Sequence, residues 1–202
     1  MNEEAQTVLG ALRAATAAQH GAIERLLRLE PATLERGHYV RVLAGFGAFV
    51  PCWEARVRER LPARLLGWFD ERSRWPHLRR DLGTLGLAAS ADAPDAACAP
   101  ALPDLPAVFG SMYVLEGSAL GGQLIARALR ERWALGPDNG AAYFNGWGAR
   151  TGALWADFRR RLAQEVEAGG AAQRSACAAA VATFEALNRT FERVLADGRV
   201  AA

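Results

Sequence analysis

Two short stretches carry residues whose types and spacing could do chemistry. The first, LRAATAAQHGAIE (residues 12–24), sets His20 four residues before Glu24. On a helix that spacing stacks the carboxylate one turn from the imidazole. A neutral imidazole offers one ring nitrogen to a metal while the other donates a hydrogen bond that a carboxylate can accept. One histidine does not make a protein-only metal site. Zinc wants three or four ligands, and no second histidine or cysteine stands at ligand spacing. His20 also fits a plainer reading, a buried neutral histidine satisfied by a backbone carbonyl.

The second stretch, YVLEGSALGGQL (residues 113–124), has Gly117, Gly121 and Gly122 within two turns of an otherwise helical segment. Three glycines in a helix interior cost about 3 kcal/mol relative to alanine. That is a large fraction of a stability of about 5–15 kcal/mol. Gly110, Gly117, Gly121 and Ala128 recur at helical spacing, so one side of this helix is nearly bare of side chains. Close helix–helix packing is one explanation. The adjacent Gly121–Gly122 pair argues for more, since it invites a kink and leaves backbone exposed to a flat ligand.

The elements that must position these stretches read as helices. The chain has 202 residues, 51% of them hydrophobic, and is rich in Ala, Leu, Arg and Glu. Leu9, Leu12, Thr16, His20, Ile23 and Leu27 mark one continuous inward helix face. Pro31 closes that helix, and a second follows with Thr33 as N-cap and a kink or break at Pro51. Short helices are expected around ARLLGWF and PHLRRDLGTLG. Residues 88–106, with four prolines and little periodicity, read as an internal Pro/Ala-rich loop. A long helix runs from Leu105 to about Trp133, then a loop, ALGPDNGAAYFNGWG, then two more helices. No repeat and no convincing strand emerges. The expected architecture is all-α, a single helical-bundle domain over residues 1–202 with a kinked glycine-rich helix.

Charge and cysteine usage bound the function. A formal net charge of +2 makes no case for nucleic acid. Cys52, Cys98 and Cys177 are far apart, which argues against a disulfide framework or a cysteine-rich zinc site. The acidic start lacks a signal-type apolar core, and no run approaches a membrane span. The expectation is a soluble, cytoplasmic protein.

Together the two stretches suggest a slot, with a histidine from one helix and a side-chain-free backbone from the other. A planar tetrapyrrole fits it, because a porphyrin supplies four iron ligands and needs only an axial histidine. LRAATAAQHGAIE resembles the proximal-helix signature of heme oxygenases, and YVLEGSALGGQL resembles their distal-helix signature. The form EGSALGG is most similar to the family's bacterial branch, which includes enzymes that supply biliverdin to bacteriophytochromes. The two stretches cover 25 of the 202 residues and stand in the family's order.

The resemblance implies His20 as the axial ligand of haem b iron and Glu24 as its companion. It makes Gly117 and Gly121 the points where the distal helix bends over the haem, with Gly122 beside them. Arg13 stands where the family often places a base facing a haem propionate. Arg159 and Tyr113 are further candidates for that group, since a guanidinium binds carboxylate bidentately. Ser118 departs from the aspartate that many members carry after the first distal glycine, so distal water must be held by Ser118 or by other groups.

The implied activity is oxidative opening of haem, both cofactor and substrate, to biliverdin with release of carbon monoxide and ferrous iron. It needs molecular oxygen and electrons from outside. No flavin or nicotinamide fingerprint is present, so the resemblance implies an external reductase or ferredoxin-type donor, and a bacteriophytochrome or other acceptor of biliverdin. Two alternatives stand beside it. One is a non-catalytic haem or biliverdin carrier or sensor, with Ser118 as its only support. The other is a different all-α enzyme, of thiaminase-like shape, using Cys52 as nucleophile near Glu54.

Overall fold

The computed structural model describes residues 7–87 and 100–196. Within them the chain forms helices α1 (Val8–Leu27), α2 (Arg36–Arg60), α3 (Ala63–Asp70), α4 (Trp75–Thr84), α5 (Leu105–Trp133), α6 (Ala142–Asn145), α7 (Thr151–Glu165) and α8 (Gly170–Ala196). No strand occurs among the described residues. The all-α expectation holds. Most of the expected 88–106 loop, and Cys98 with it, lies outside the described residues.

The starts of α1 and α5 follow local rules. Thr7 caps α1 by accepting from the Gly10 amide at 3.1 Å, and Asp104 caps α5 by accepting from Ala107 at 2.8 Å. Three expectations need correction. Thr33 does not cap α2, which starts at Arg36 behind Glu35. Pro51 does not break α2, because Phe49, Val50, Trp53 and Val57 around it are buried and packing outweighs the lost amide. The segment after α5 is not all loop: buried Asp81 on α4 accepts from the Ala142 and Tyr143 amides, both at 2.8 Å, and anchors the short α6 there. The glycines do not interrupt α5, which is helical from Leu105 to Trp133.

The core is built on α8, against which α1, α2 and α5 all pack. At the α5–α8 crossing a Cβ on Gly110 would collide with the Ala176 carbonyl, and at the α2–α8 crossing a Cβ on Gly45 would collide with the Phe191 ring. A buried relay joins the three helices α2, α5 and α8. The Trp53 indole N–H donates to Ser111 Oγ at 2.8 Å, and Ser111 and Thr183 share a bond of 2.7 Å. Thr183 in turn donates to the Ala179 carbonyl at 2.7 Å. With α1 and α5 both seated on α8, a slot is left between them.

Cys52 is disulfide-bonded and Cys177 is a free thiol. A bonded sulfur is not the free nucleophile that a thiaminase-like enzyme would want. Glu54 is also engaged elsewhere. Its carboxylate accepts from Ser73 Oγ and from the Arg74 and Trp75 amides at 2.6, 2.7 and 3.1 Å, capping α4.

Candidate functional site

The slot is a cavity of about 800 Å³, within the range of small-molecule and cofactor sites. One wall is α1 and the facing wall is α5. Phe184, Leu187 and Phe191 of α8 and Tyr143 and Phe144 of α6 also line it. The lining is mainly apolar with few polar groups, as suits a large planar ligand.

His20 stands at the gap in the buried stripe of α1. Leu12, Thr16 and Ile23 are buried, whereas the His20 side chain is 59% exposed and lines the cavity. The sequence reading of a wholly inward face is corrected at this residue. Its Nδ1 lies 3.3 Å from Glu24 Oε2, and its ring meets Phe184 edge-on at 5.9 Å. A proton held on Nδ1 faces the carboxylate, so Nε2 is left with the lone pair. The plain histidine reading belongs instead to His38, which is buried with Nε2 2.6 Å from the Leu27 carbonyl. His77 packs edge-on to Trp147 at 6.3 Å, and neither histidine lines the cavity.

The α5 glycines divide by function. A Cβ on Gly121 would meet nothing within 4 Å, and one on Gly117 would only touch Trp155 at 3.9 Å; both residues line the cavity. Gly122 also lines it, but a Cβ there would sit 3.0 Å from the Phe144 carbonyl oxygen, so this glycine lets α6 approach. Gly110 serves packing against α8 alone. The bare side of α5 is therefore two surfaces, one for neighbouring helices and one for the cavity.

Arg13 and Tyr113 also line the slot. Burial pushes the Tyr113 hydroxyl up, opposed by its hydrogen bond to the Thr16 side chain and by the Arg13 charge. Arg159 does not line the cavity; its guanidinium lies 5.9 Å from the centre of the Trp155 ring, which does. Ser118 Oγ donates to the Leu115 carbonyl at 2.8 Å and accepts from Arg74 Nη1 at 2.8 Å.

Arg74 escapes a reading of the sequence, where it sits in ERSRW like any surface charge. It is 4% exposed and lines the cavity. Besides Ser118 it donates to the Leu115 carbonyl at 3.1 Å and the Tyr143 carbonyl at 3.2 Å, with its guanidinium 4.1 Å over the Tyr143 ring. Behind α5, Arg72 bonds Glu116 Oε2 at 3.1 Å and Asp157 Oδ2 at 2.5 Å. Burial pushes the Glu116 carboxyl up to about 7 against the pull of Arg72 and Arg74. The Trp68 indole and Arg72 hold Asp157 below its ordinary value. This cluster fastens the α5 segment just before Gly117 to α7.

Among the described residues no group of three or more His, Cys, Asp or Glu converges as a metal site, and no helix is long and apolar enough to cross a membrane. The donor set at the slot fits a haem: one imidazole with a free lone pair, a facing backbone without side chains, apolar walls and an arginine at the rim.

Comparison with known proteins agrees. The family model described as Heme oxygenase matches residues 6–193. A protein named Heme oxygenase from Xanthomonas campestris pv. campestris (strain 8004) is 36% identical over 151 residues, covering 75% of this chain and 81% of that one. The histidine-bearing and glycine-bearing helices, the slot between them and this match over nearly the whole chain lead to one conclusion: the protein belongs to the heme oxygenase family.

Proposed function

We propose that the chain binds haem b in the slot between α1 and α5, where His20 Nε2 would hold the iron, and opens the ring to biliverdin, carbon monoxide and ferrous iron. The observation that carries this reading is the pairing, across one cavity, of His20 with the open glycine face at Gly117 and Gly121. When bound, the haem supplies the oxygen and redox chemistry, and the protein supplies ligand, orientation and polarity.

Each residue then has a role. His20 binds iron, and Glu24 fixes the imidazole by facing Nδ1. Gly117 and Gly121 let the α5 backbone lie against the ring and exclude bulk water from that face, and Gly122 keeps α6 close behind them. Ser118 sets the polarity beside Gly117. Arg13 holds a propionate at the rim, with Tyr113 next to it and Arg159 approaching from beyond Trp155. The carrier or sensor reading is not favoured, because family membership and the named relative point to haem degradation.

Oxygen and electrons come from outside, the electrons from a reductase or ferredoxin-type donor. The product passes to an acceptor such as a bacteriophytochrome. A cytoplasmic setting suits these partners. The test of the site is a hemin titration of wild type and His20→Ala. The variant keeps hemin in the apolar slot but shifts its Soret band and spin state. Identical spectra would remove His20 from the iron.

A further inference from the structure

A stack of aromatic rings leads away from the slot. Trp155 of α7 lines the cavity, and its ring lies nearly parallel to that of Phe158, with centroids 5.6 Å and planes 17° apart. Their spacing of three residues puts both on one face of α7. Phe158 also stacks on Trp68 of α3, at 6.4 Å and 13°. Phe109 of α5 stacks on both Phe158 and Trp68, at 6.1 and 5.9 Å. The two phenylalanines are fully buried, whereas Trp68 is half-buried and does not line the slot. The four rings thus connect an indole inside the slot to one outside it.

Packing accounts for the phenylalanines. It does not account for the outer end of the stack. There the Trp68 indole N–H donates to Asp157 Oδ2 at 2.7 Å, on a side chain that is 27% exposed. Arg72 lies 4.4 Å over the Trp68 ring and Arg161 5.6 Å from its centre. A ring attracts such cations while it is electron-rich and repels them once it loses an electron. Trp68 is therefore oxidised most easily together with loss of its proton, and the N–H already faces a carboxylate in reach of water. An indole that has lost an electron is a far stronger acid than a neutral one, so a carboxylate held low by Trp68 and Arg72 still takes the proton.

We propose that Trp155, Phe158 and Trp68 form an electron-donating path that protects the slot from peroxides. This rests on the haem reading above, since a bound haem is what a peroxide oxidises there. A peroxide ROOH breaks its O–O bond in the slot, taking one electron from the ferric haem and one from Trp155. It leaves as ROH and one oxygen at the oxidation level of water. Trp155 takes an electron back from Trp68 across the buried phenylalanines. Trp68 gives its indole proton to Asp157 Oδ2 and becomes a neutral radical. A reductant of the ascorbate class, outside the slot, returns one hydrogen atom to Trp68, and Asp157 releases its proton to solvent. A second electron by the same route restores the ferric haem, and two protons from solvent carry the remaining oxygen off as water.

The test uses the full chain reconstituted with ferric hemin, mixed with stoichiometric m-chloroperbenzoic acid and freeze-quenched for EPR. Wild type is expected to give an organic-radical signal whose hyperfine pattern changes when its tryptophans carry deuterated indoles. Trp68→Phe keeps a ring in the stack and loses that signal. Peptide mass spectrometry then finds the oxidised side chains at Trp155 and Tyr113, whose rings lie 6.2 Å apart. Asp157→Asn keeps an acceptor for the indole N–H but no base, and it loses the neutral-radical signal as well. The Soret band of each variant reports whether its slot is intact. Asp157→Asn decides the matter if Trp68→Phe fails to hold hemin.

An unchanged radical signal in either variant overturns the proposal. So does a wild-type signal that is insensitive to indole deuteration, which places the radical on tyrosine. If wild type gives no Soret band with hemin, the haem reading itself fails. A normal Soret band without a tryptophan radical fails this inference alone.

Discussion

Arg74 Nη1 lies 2.8 Å from Ser118 Oγ, and the Ser118 proton points at the Leu115 carbonyl rather than into the slot. The serine hydroxyl is thus occupied on both sides. It positions the arginine and has no proton to spare for bound oxygen. Replacing it by alanine is expected to lower haem turnover by less than about tenfold, the worth of one neutral hydrogen bond. Single-turnover bilin formation measures this. Loss by about a thousandfold would make Ser118 the proton donor and contradict the geometry.

The glycines of α5 give a sharper contrast. Gly121→Ala places a methyl in open space, so the fold gains about 1 kcal/mol of helix propensity while hemin affinity falls. Gly110→Ala drives a methyl into the Ala176 carbonyl at the α5–α8 crossing and costs about 3 kcal/mol or more. Urea unfolding of the hemin-free chain and hemin titration separate the two effects. A destabilised Gly121→Ala with normal hemin affinity would show that Gly121 serves packing.

Glu116 ties pH to stability. Its native carboxyl keeps its proton up to about 7, whereas an unfolded one releases it near 4.5. Between those values the native state binds more protons, so this contribution to stability is present in acid and is lost as pH rises through 7. The size is about 3 kcal/mol. Glu116→Gln is accordingly expected to match wild type near pH 4.5 and to exceed it by up to that amount at pH 8. Chemical denaturation at the two pH values checks it, and parallel stability curves would show that Arg72 holds Glu116 ionised throughout.

Much of this was legible in the residues. The helix from Leu105 to Trp133 falls where its cap and periodicity put it, because Asp104 and the apolar repeat act locally. His20 and the Gly117–Gly121 pair could be read for the same reason: spacing on one helix is a property of sequence. What could not be read depends on contacts distant along the chain. Arg74 reaches Ser118 across 44 residues, and Asp81 anchors α6 across 61. The division of the glycines into packing and cavity positions needed Ala176 and Phe144 in place. Pro51 does not end α2 because the burial on both sides of it outweighs the lost amide.

The most direct test of the account is the aerobic spectrum of the hemin-reconstituted chain, followed after adding ascorbate with catalase present, for wild type and His20→Ala side by side. The account predicts that wild type loses its Soret band while a broad biliverdin absorption grows, and that His20→Ala binds hemin without forming bilin. A wild-type Soret band that persists under these conditions, or equal bilin formation by both proteins, would contradict it.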